Sequence, residues 1–596
     1  MKNGLNKRNE IDDIYKWDLT KMYKTINNWE ADLKQLETLS NQVLGYKGKI
    51  LNNPSNLLKV LDISHQITRC MSNLFVYANL KYHEDTTDNS SMKIKGKIEK
   101  LVTEVEEKNS FIYPEIIKGK WSLIEEFIKK EPQLGIYYFY LEKMFRQKKH
   151  ILSNKEEKII ASANEILSSS SQIYNVIVNT DINYGYVKIN NQKIQITDSN
   201  FVKLLNSKEQ STRKMVFKKY YATYHSLKNT FAYNLIYNIK SSFFLSNIRK
   251  YKDPLQMSLY NNDINLSIYN NLIKTINNKI NIFHKYILLK KQELKVDNLH
   301  MYDIYKNLID SNDEYSYEEA QKLVKKALMP LGSNYISIVE KVFKERVIDV
   351  YDNVGKRSGA YSWGTYDSPP YILLNYDGTL NDIATIAHEV GHSIHSYYTN
   401  KTQPFVDSGH DIFTAEIAST VNEILLFDYL FKNAKSNDQK KMILNKILEK
   451  FKASIYRQTM FAEFEKILFE KEKQKEILTE QLISDIYYQL NQKYYGNEII
   501  HDKEISLEWA RIPHFYRPFY VYQYATGMAA ACVIADDILK RKAGFLKKYI
   551  NFLSSGKSNY PLELLKDLGL DMSKTEPIER AIEIFNNYIE EYRKLI

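Results

Sequence analysis

The sequence predicts a mainly α-helical protein with a small amount of β structure, and three observations support this fold class. Amphipathic helical patterns cover residues 1 to about 180 and resume from about 200 onward. The 596 residues include only 12 Pro and 19 Gly. No Ser-, Gly- or Pro-rich linker interrupts the chain. Because Gly and Pro interrupt helices, this composition predicts long helices packed into one continuous body.

We expect β structure in two places. Asn183–Ile196 alternates around Asn190-Asn191, which predicts a β-hairpin because Asn tolerates the positive φ of a tight turn. The hairpin would end an N-terminal helical region, residues 1–200, before a second region, residues 201–596. The apolar and aromatic stretch Tyr371–Asn375 is either an edge strand, to which a peptide backbone could pair, or an ordinary core strand.

A helix that begins near Asn381 or Asp382, either of which can cap it, carries the most informative motif. Its apolar residues recur with helical period at Ile383, Ile386, Ala387, Val390 and Ile394. His388 and His392 share one helix face, where two imidazoles can bind one zinc ion. Glu389 can reach a water on that ion. This H-E-x-x-H pattern is typical of metallopeptidases.

Chance alone produces such a pattern in roughly one chain in a hundred of this size, so its context matters. Gly391 in mid-helix costs about 1 kcal/mol relative to Ala, which a purely structural helix has little reason to carry. His395 is interpreted as a core histidine or a neighbour of the ligands, because two ligands and a base already occupy the face. His395 and Tyr398 also stand where the metzincin pattern needs Gly and His, which excludes that class.

A catalytic zinc needs a third protein ligand, and the helical stretch Phe413–Glu423 offers two acidic residues on one face. We expect Glu416 to be the ligand, although a salt-bridged surface residue is the alternative. We expect Glu423 to orient a ligand histidine through its other ring nitrogen. The nearby segment Asp407–Asp411 is either a loop that closes on a substrate or a simple surface turn.

Several segments in the same order closely resemble the oligoendopeptidase F branch of the thimet-oligopeptidase family of zinc metallopeptidases. The matching segments are Tyr15–Leu19, Lys356–Tyr361, Pro370–Tyr376, His388–Ser396, Gln403–Pro404, Phe413–Ser419, Asn422–Glu423, Ile512–Tyr516 and Phe519–Gly527. The resemblance touches nearly the whole chain and is densest from about 355 to 530. It is far more specific than a single motif.

The resemblance implies a zinc-dependent endopeptidase that hydrolyses internal bonds of short oligopeptides. It implies a zincin-type fold: a large helical two-lobed body that encloses a deep substrate channel, with a small β element near the active site and residues 201–596 as the catalytic region. It places the third ligand on Glu416 and substrate-binding groups on His514 and a nearby tyrosine. Tyr522 is the preferred tyrosine, and Tyr520 and Tyr524 remain open.

Composition limits the partners and the compartment. The formal net charge is +11, but basic residues are mixed with acidic ones along helices and form no concentrated arm, so we expect no nucleic-acid partner. The two cysteines resemble neither a disulfide framework nor a zinc site. The longest apolar run, Gly527 to Ala535, is too short to span a bilayer, and no signal peptide is evident. We therefore expect a cytoplasmic protein with one Zn²⁺ per chain and no membrane partner.

Two other functions compete with the endopeptidase interpretation. A carboxypeptidase or dipeptidase on a similar scaffold would need a pocket for a substrate terminus, which sequence does not reveal. A non-catalytic helical peptide-binding protein would have no need for the complete set of His388, Glu389, His392 and Glu416. The sequence leaves the cleavage preference and the oligomeric state open.

Overall fold

The structure, a computed structural model, describes residues 5–309 and 314–596. Most of these residues lie in helices, which confirms the predicted mainly α fold class. The helices before the first central gap are α1 Ile26–Leu44, α2 Pro54–Glu84, α3 Asn89–Asn109, α4 Ile112–Lys118, α5 Trp121–Lys130, α6 Tyr138–Gln147, α7 Asn154–Leu167, α8 Ser169–Val176, α9 Asp198–Leu205, α10 Gln210–Ser226, α11 Lys228–Ile248, α12 Pro254–Tyr260, α13 Leu266–Asn278 and α14 Ile280–Leu294.

The remaining helices include those that carry the predicted site. They are α15 Tyr317–Ala327, α16 Ser333–Lys344, α17 Leu380–Thr402, α18 Ile412–Lys432, α19 Asn437–Phe451, α20 Arg457–Lys473, α21 Glu480–Tyr495, α22 Tyr522–Leu539, α23 Phe545–Leu553, α24 Pro561–Leu568 and α25 Glu576–Arg593. Among the described residues, no helix is both long enough and apolar enough to cross a lipid bilayer.

The described strands are short and form three small sheets. They are β1 Tyr186–Ile189, β2 Gln192–Gln195, β3 Leu299–His300, β4 Ile348–Asp349, β5 Tyr361–Trp363, β6 Tyr371–Leu373 and β7 Ile499–Ile500. Strands β1 and β2 form the predicted hairpin, with Asn190 and Asn191 both at positive φ in its turn. Strands β3 and β7 pair in parallel. The third sheet has the order β4-β6-β5, with β4 parallel and β5 antiparallel to β6.

The chain divides into two compact units, each assembled from separate segments. Unit 1 contains residues 1–148, 313–429 and 534–569, and unit 2 contains residues 149–312, 430–533 and 570–596. The division of the sequence near residue 200 stays a prediction. Helices α17 and α18 carry the motif in unit 1, while the His514 segment belongs to unit 2.

The core of unit 1 explains why the zinc-motif helix forms where it does. The apolar residues of α17 predicted to face the core are at most 1% exposed: Ile383, Ile386, Ala387, Val390 and Ile394. Helix α17 packs against strands β5 and β6 and against helices α15, α16 and α23. The stripe on α18 is buried at Ile417, Val421 and Leu425, whereas Ile424 is only half-buried.

Candidate metal and catalytic site

A capping box at Thr379 fixes the start of α17. The side chain of Thr379 accepts a hydrogen bond from the backbone N–H of Asp382, and the Asp382 carboxylate accepts one from the N–H of Thr379 at 2.9 Å. The predicted cap at Asn381 or Asp382 is therefore wrong by two or three residues. The reason is that Asp382 acts as the acidic third residue of the box and not as the cap itself.

The structure brings His388, His392 and Glu416 together as a group able to hold a metal ion. Nε2 of His388 lies 3.1 Å from Nε2 of His392 and 3.4 Å from Oε2 of Glu416. The distance from Nε2 of His392 to the same oxygen is 3.8 Å. Nitrogen and oxygen ligands about 2.05 Å from a tetrahedral zinc ion stand about 3.3 Å apart. The donor atoms and their spacing therefore fit zinc with one open position.

Glu423 contacts the first histidine from the side opposite to the group of ligand atoms. Its Oε1 lies 2.6 Å from Nδ1 of His388, where the sequence predicted an orienting carboxylate. Burial alone lowers the pKa of His388, but hydrogen bonds to Glu416 and Glu423 outweigh it and raise the pKa to about 9. The surroundings of His388 thus favour a positive charge, which a bound divalent cation would supply.

Gly391 allows α18 to approach α17 closely enough for Glu416 and Glu423 to reach the histidines. A Cβ atom at position 391 would lie 2.6 Å from Cα of Ser419 and 3.0 Å from the carbonyl oxygen of Ala418. Buried Asn422 ties the same two helices together by donating a hydrogen bond to the Ala387 carbonyl at 3.1 Å. The absence of a side chain at Gly391 therefore serves the close approach of a neighbouring backbone.

Glu389 is the carboxylate beside the proposed ligands, and it is only 6% exposed. Burial is the main reason that its pKa is raised to about 7. The charge of His388 lowers the pKa, whereas the charges of Glu416 and Glu423 raise it further. One carboxylate oxygen is hydrogen-bonded to the backbone N–H of Ser362, and Oε2 has no partner among the described residues. A carboxylate held in this way can gain and lose a proton near neutral pH.

The sheet beside α17 decides between the two alternatives for Tyr371–Asn375. Strand β6 is fully buried and lies between β4 and β5, so the core-strand alternative is correct. The two edge strands are β4 and β5. Ser362 of β5 contacts Glu389 and also forms a hydroxyl–hydroxyl hydrogen bond of 2.9 Å with Ser393 on α17. The sequence did not single out Ser362, because a serine in a short strand carries no functional signal.

His514 and all three candidate tyrosines lie in unit 2, and two of these tyrosines are near its ring. Its Nε2 is 3.5 Å from the hydroxyl of Tyr524, and its ring is nearly parallel to that of Tyr520 at 6.3 Å. Burial, with smaller effects from the charges of Arg457 and Arg517, lowers the pKa of His514, so the imidazole is neutral at pH 7.

Tyr522 lies in a different environment. It is 3% exposed, its ring packs 5.3 Å from that of Tyr269, and burial raises its pKa well above the usual value. The preference for Tyr522 stays a prediction, but the contact with His514 favours Tyr524. The physical reason is that α22 begins at Tyr522, so residues 522 and 524 point in directions about 200° apart around the helix.

A tight turn before α22 directs this tyrosine segment. Phe519 has a φ of 58°, in the left-handed region that a bulky residue rarely adopts. Its backbone N–H donates a 3.0 Å hydrogen bond to Oε1 of Glu465 on α20. Glu465 is 3% exposed, and burial raises its pKa to about 8. The sequence reasoning missed Glu465, although its place among Phe461, Leu468 and Phe469 on the apolar face of a helix was a usable signal.

Comparisons with known proteins agree on one family. The family model described as Peptidase family M3 matches residues 203–584, and the model described as Oligopeptidase F matches residues 115–184. Oligopeptidase PepF of Bacillus subtilis is 39% identical over 597 residues, covering 100% of this chain and 89% of that protein.

Solved structures support the same relationship. The crystal structure of a Chlamydophila abortus protein described as a peptidase matches with a TM-score of 0.93 at 37% identity, covering 99% of this chain and 100% of that one. The crystal structure of oligoendopeptidase-F from Enterococcus faecium matches with a TM-score of 0.74 at 31% identity, covering 96% and 99%.

Proposed function

The chain belongs to peptidase family M3, and from this premise we propose that it is a zinc-dependent endopeptidase that hydrolyses internal bonds of short oligopeptides. The names of its relatives, an oligopeptidase and an oligoendopeptidase, support the substrate class. One observation carries the proposal: His388, His392 and Glu416 converge with spacings suited to tetrahedral zinc, and Glu389 lies beside them. We propose these three residues as the ligands of one Zn²⁺ per chain.

Zinc, when bound, supplies Lewis acidity that acidifies water and polarises a carbonyl group. Glu389 takes the proton from the attacking water and delivers it to the leaving amine. Burial suits Glu389 to both steps, because it raises the pKa of the carboxyl group above its usual value and so eases the return of the proton. The backbone N–H of Ser362 holds the carboxylate in place through the transfer.

His514 and Tyr524 supply hydrogen-bond donors to the substrate and to the oxyanion of the transition state. The family resemblance supports this role, and the neighbouring imidazole and hydroxyl in unit 2 favour Tyr524 over Tyr522. A single donor of this kind contributes about 3 kcal/mol to transition-state stabilisation. The edge strand β5 offers its backbone to an extended peptide next to Glu389.

The compartment and the partners belong to the same proposal. We propose a cytoplasmic enzyme whose partners are oligopeptides. Neither cysteine forms a disulfide, and Cys532 is buried, which agrees with a reducing compartment.

Cleavage of a short peptide blocked at both termini separates this proposal from the alternatives. An endopeptidase cuts such a peptide internally, and mass spectrometry of the products identifies the bond. Removal of only the last residue from an unblocked peptide, with no cut in the blocked one, would instead establish a carboxypeptidase or dipeptidase. Binding without any cleavage by the zinc-loaded chain would establish the non-catalytic alternative.

A further inference from the structure

We propose that the stacked imidazoles of His395 and His410 hold the start of α18 against α17 and thereby position Glu416 for the metal. The inference rests on the proposed function, because it concerns the same zinc site. His395 lies on α17 one turn after His392, and His410 comes two residues before α18 begins. The pair therefore joins the two helices that carry all three proposed ligands.

The contact between the two rings is close and buried. Their centroids are 3.6 Å apart with planes inclined by 25°, and His395 is 2% exposed. Nδ1 of His395 and both ring nitrogens of His410 are buried with no hydrogen-bond partner among the described residues. Ring packing is therefore the contact through which the pair joins the two segments.

Both imidazoles are neutral at pH 7, which removes charge repulsion from the stack. Burial lowers the pKa of His395 well below its usual value, and His410 and His392 act in the same direction. Burial also lowers the pKa of His410 to about 3, assisted by His392 and Lys557. Two neutral rings carry no net charge that would oppose this stack, whose centroids lie only 3.6 Å apart.

The segment that carries His410 is fixed from a second side. The backbone N–H of Lys557 donates a 2.7 Å hydrogen bond to the carbonyl of Asp407, and the Lys557 ammonium lies 3.9 Å from the Asp411 carboxylate. The turn that contains Ser554 and Lys557 is also tied to the end of α17. There the side-chain amide of Gln403 donates a 2.8 Å hydrogen bond to the Ser554 carbonyl. This segment is thus attached to its surroundings, and the stack is its contact with the motif helix.

The consequence for Glu416 follows from the spacing of the two helices that bring its carboxylate to the histidines. Glu416 is 47% exposed, and its carboxylate meets both histidines only because α18 runs close to α17. The contact at Gly391 sets the spacing of the helices near Ser419, one turn after Glu416. The His395–His410 stack sets the helix spacing before the start of α18. Glu416 therefore lies between two contacts that hold the helices together.

The test measures zinc affinity by competition with a chelator, using the full-length chain and four proteins. We expect His410→Ala to bind zinc about tenfold more weakly than wild type, the size typical for groups that orient metal ligands. His410→Phe keeps a flat ring and should stay within about threefold of wild type. Phe139→Ala removes a ring contact with Tyr560 elsewhere in unit 1 and should leave zinc affinity unchanged.

Far-UV circular dichroism and thermal unfolding of the metal-free proteins separate positioning from general loss of fold. If His410→Ala does not fold, His410→Leu replaces it, since Leu fills similar space without a flat ring; we expect its zinc affinity to be about tenfold weaker than that of the wild type. If a folded His410→Ala, or the Leu variant that replaces it, binds zinc as tightly as the wild type, the positioning role is wrong and the proposed function is unaffected. The same holds if His410→Phe binds zinc as weakly as His410→Ala. A wild-type chain that binds no zinc overturns both this inference and the proposed function.

Discussion

The proposed metal region on α17 and α18 and the His514–Tyr524 region differ in how the chain places their side chains. In the first region, regular helices carry every candidate residue, and helical periodicity determines which of them share a face. In the second region, the chain passes through a left-handed Phe519 just before α22 begins. Spacing in sequence therefore predicts direction in the first region and fails in the second.

The largest expected effect belongs to the general base of the metal region. Glu389→Gln should lower kcat by about 10³ to 10⁴, because the amide cannot accept the water proton. Its zinc content, measured by atomic spectroscopy, should equal that of the wild type, since Glu389 is not a proposed ligand. Wild-type turnover in this variant would remove Glu389 from the mechanism.

The second prediction compares two tyrosines only two residues apart. Tyr524→Phe should lower kcat by about 10², because it removes one hydrogen-bond donor beside His514. Tyr522→Phe is the matched control and should change kcat by less than about threefold, because its ring is packed against Tyr269. Steady-state kinetics on one internally quenched peptide measures both. A larger loss of kcat in Tyr522→Phe than in Tyr524→Phe would instead assign the substrate contact to Tyr522.

The third prediction tests the close approach of the two helices in the metal region. Gly391→Ala should weaken zinc binding by about tenfold or more and destabilise the chain by about 1–3 kcal/mol, because the added methyl group meets the backbone of Ser419 and Ala418. Chelator competition and denaturant unfolding measure the two effects. Gly359→Ala is the control for zinc affinity, since nothing lies within 4 Å of a Cβ atom at position 359. Its positive φ of 87° should still lower the stability of the variant. Equal zinc affinity in Gly391→Ala and wild type would contradict the packing argument.

The smallest effect is expected from the acid that holds the turn at Phe519. Glu465→Met should lower kcat about tenfold, because the Phe519 N–H loses its acceptor and the tyrosine segment shifts. Glu465→Gln keeps that acceptor and should stay within about threefold. It resembles the protonated acid that a pKa of about 8 implies at neutral pH. Similar losses in both variants would mean that the charge of Glu465, and not its hydrogen bond, matters.

The sequence predicted much of the first region because its physics is local. The buried stripe of α17 and the shared face of Glu416 and Glu423 on α18 follow from periodicity. Outside this region, the hairpin at Asn190-Asn191 follows from turn chemistry. The family resemblance, now confirmed, supported Glu416 and added His514 as a candidate.

The rest depended on contacts between residues far apart in sequence. Whether Tyr371–Asn375 lies at the edge or in the centre of a sheet depends on β4 and β5, which no local pattern reveals. The cap at Thr379 was missed because Asp382 fits either role in a capping box. The partnership of Glu465 with Phe519 joins residues 54 positions apart, and that of His395 with His410 depends on the path of the intervening loop.

A crystal structure of the zinc-loaded chain, with anomalous diffraction recorded on both sides of the zinc edge, tests the central claim most directly. The account predicts one strong peak per chain, about 2.0–2.2 Å from Nε2 of His388, Nε2 of His392 and a carboxylate oxygen of Glu416. A peak at any other set of residues, or an active protein without a peak at this site, would contradict it.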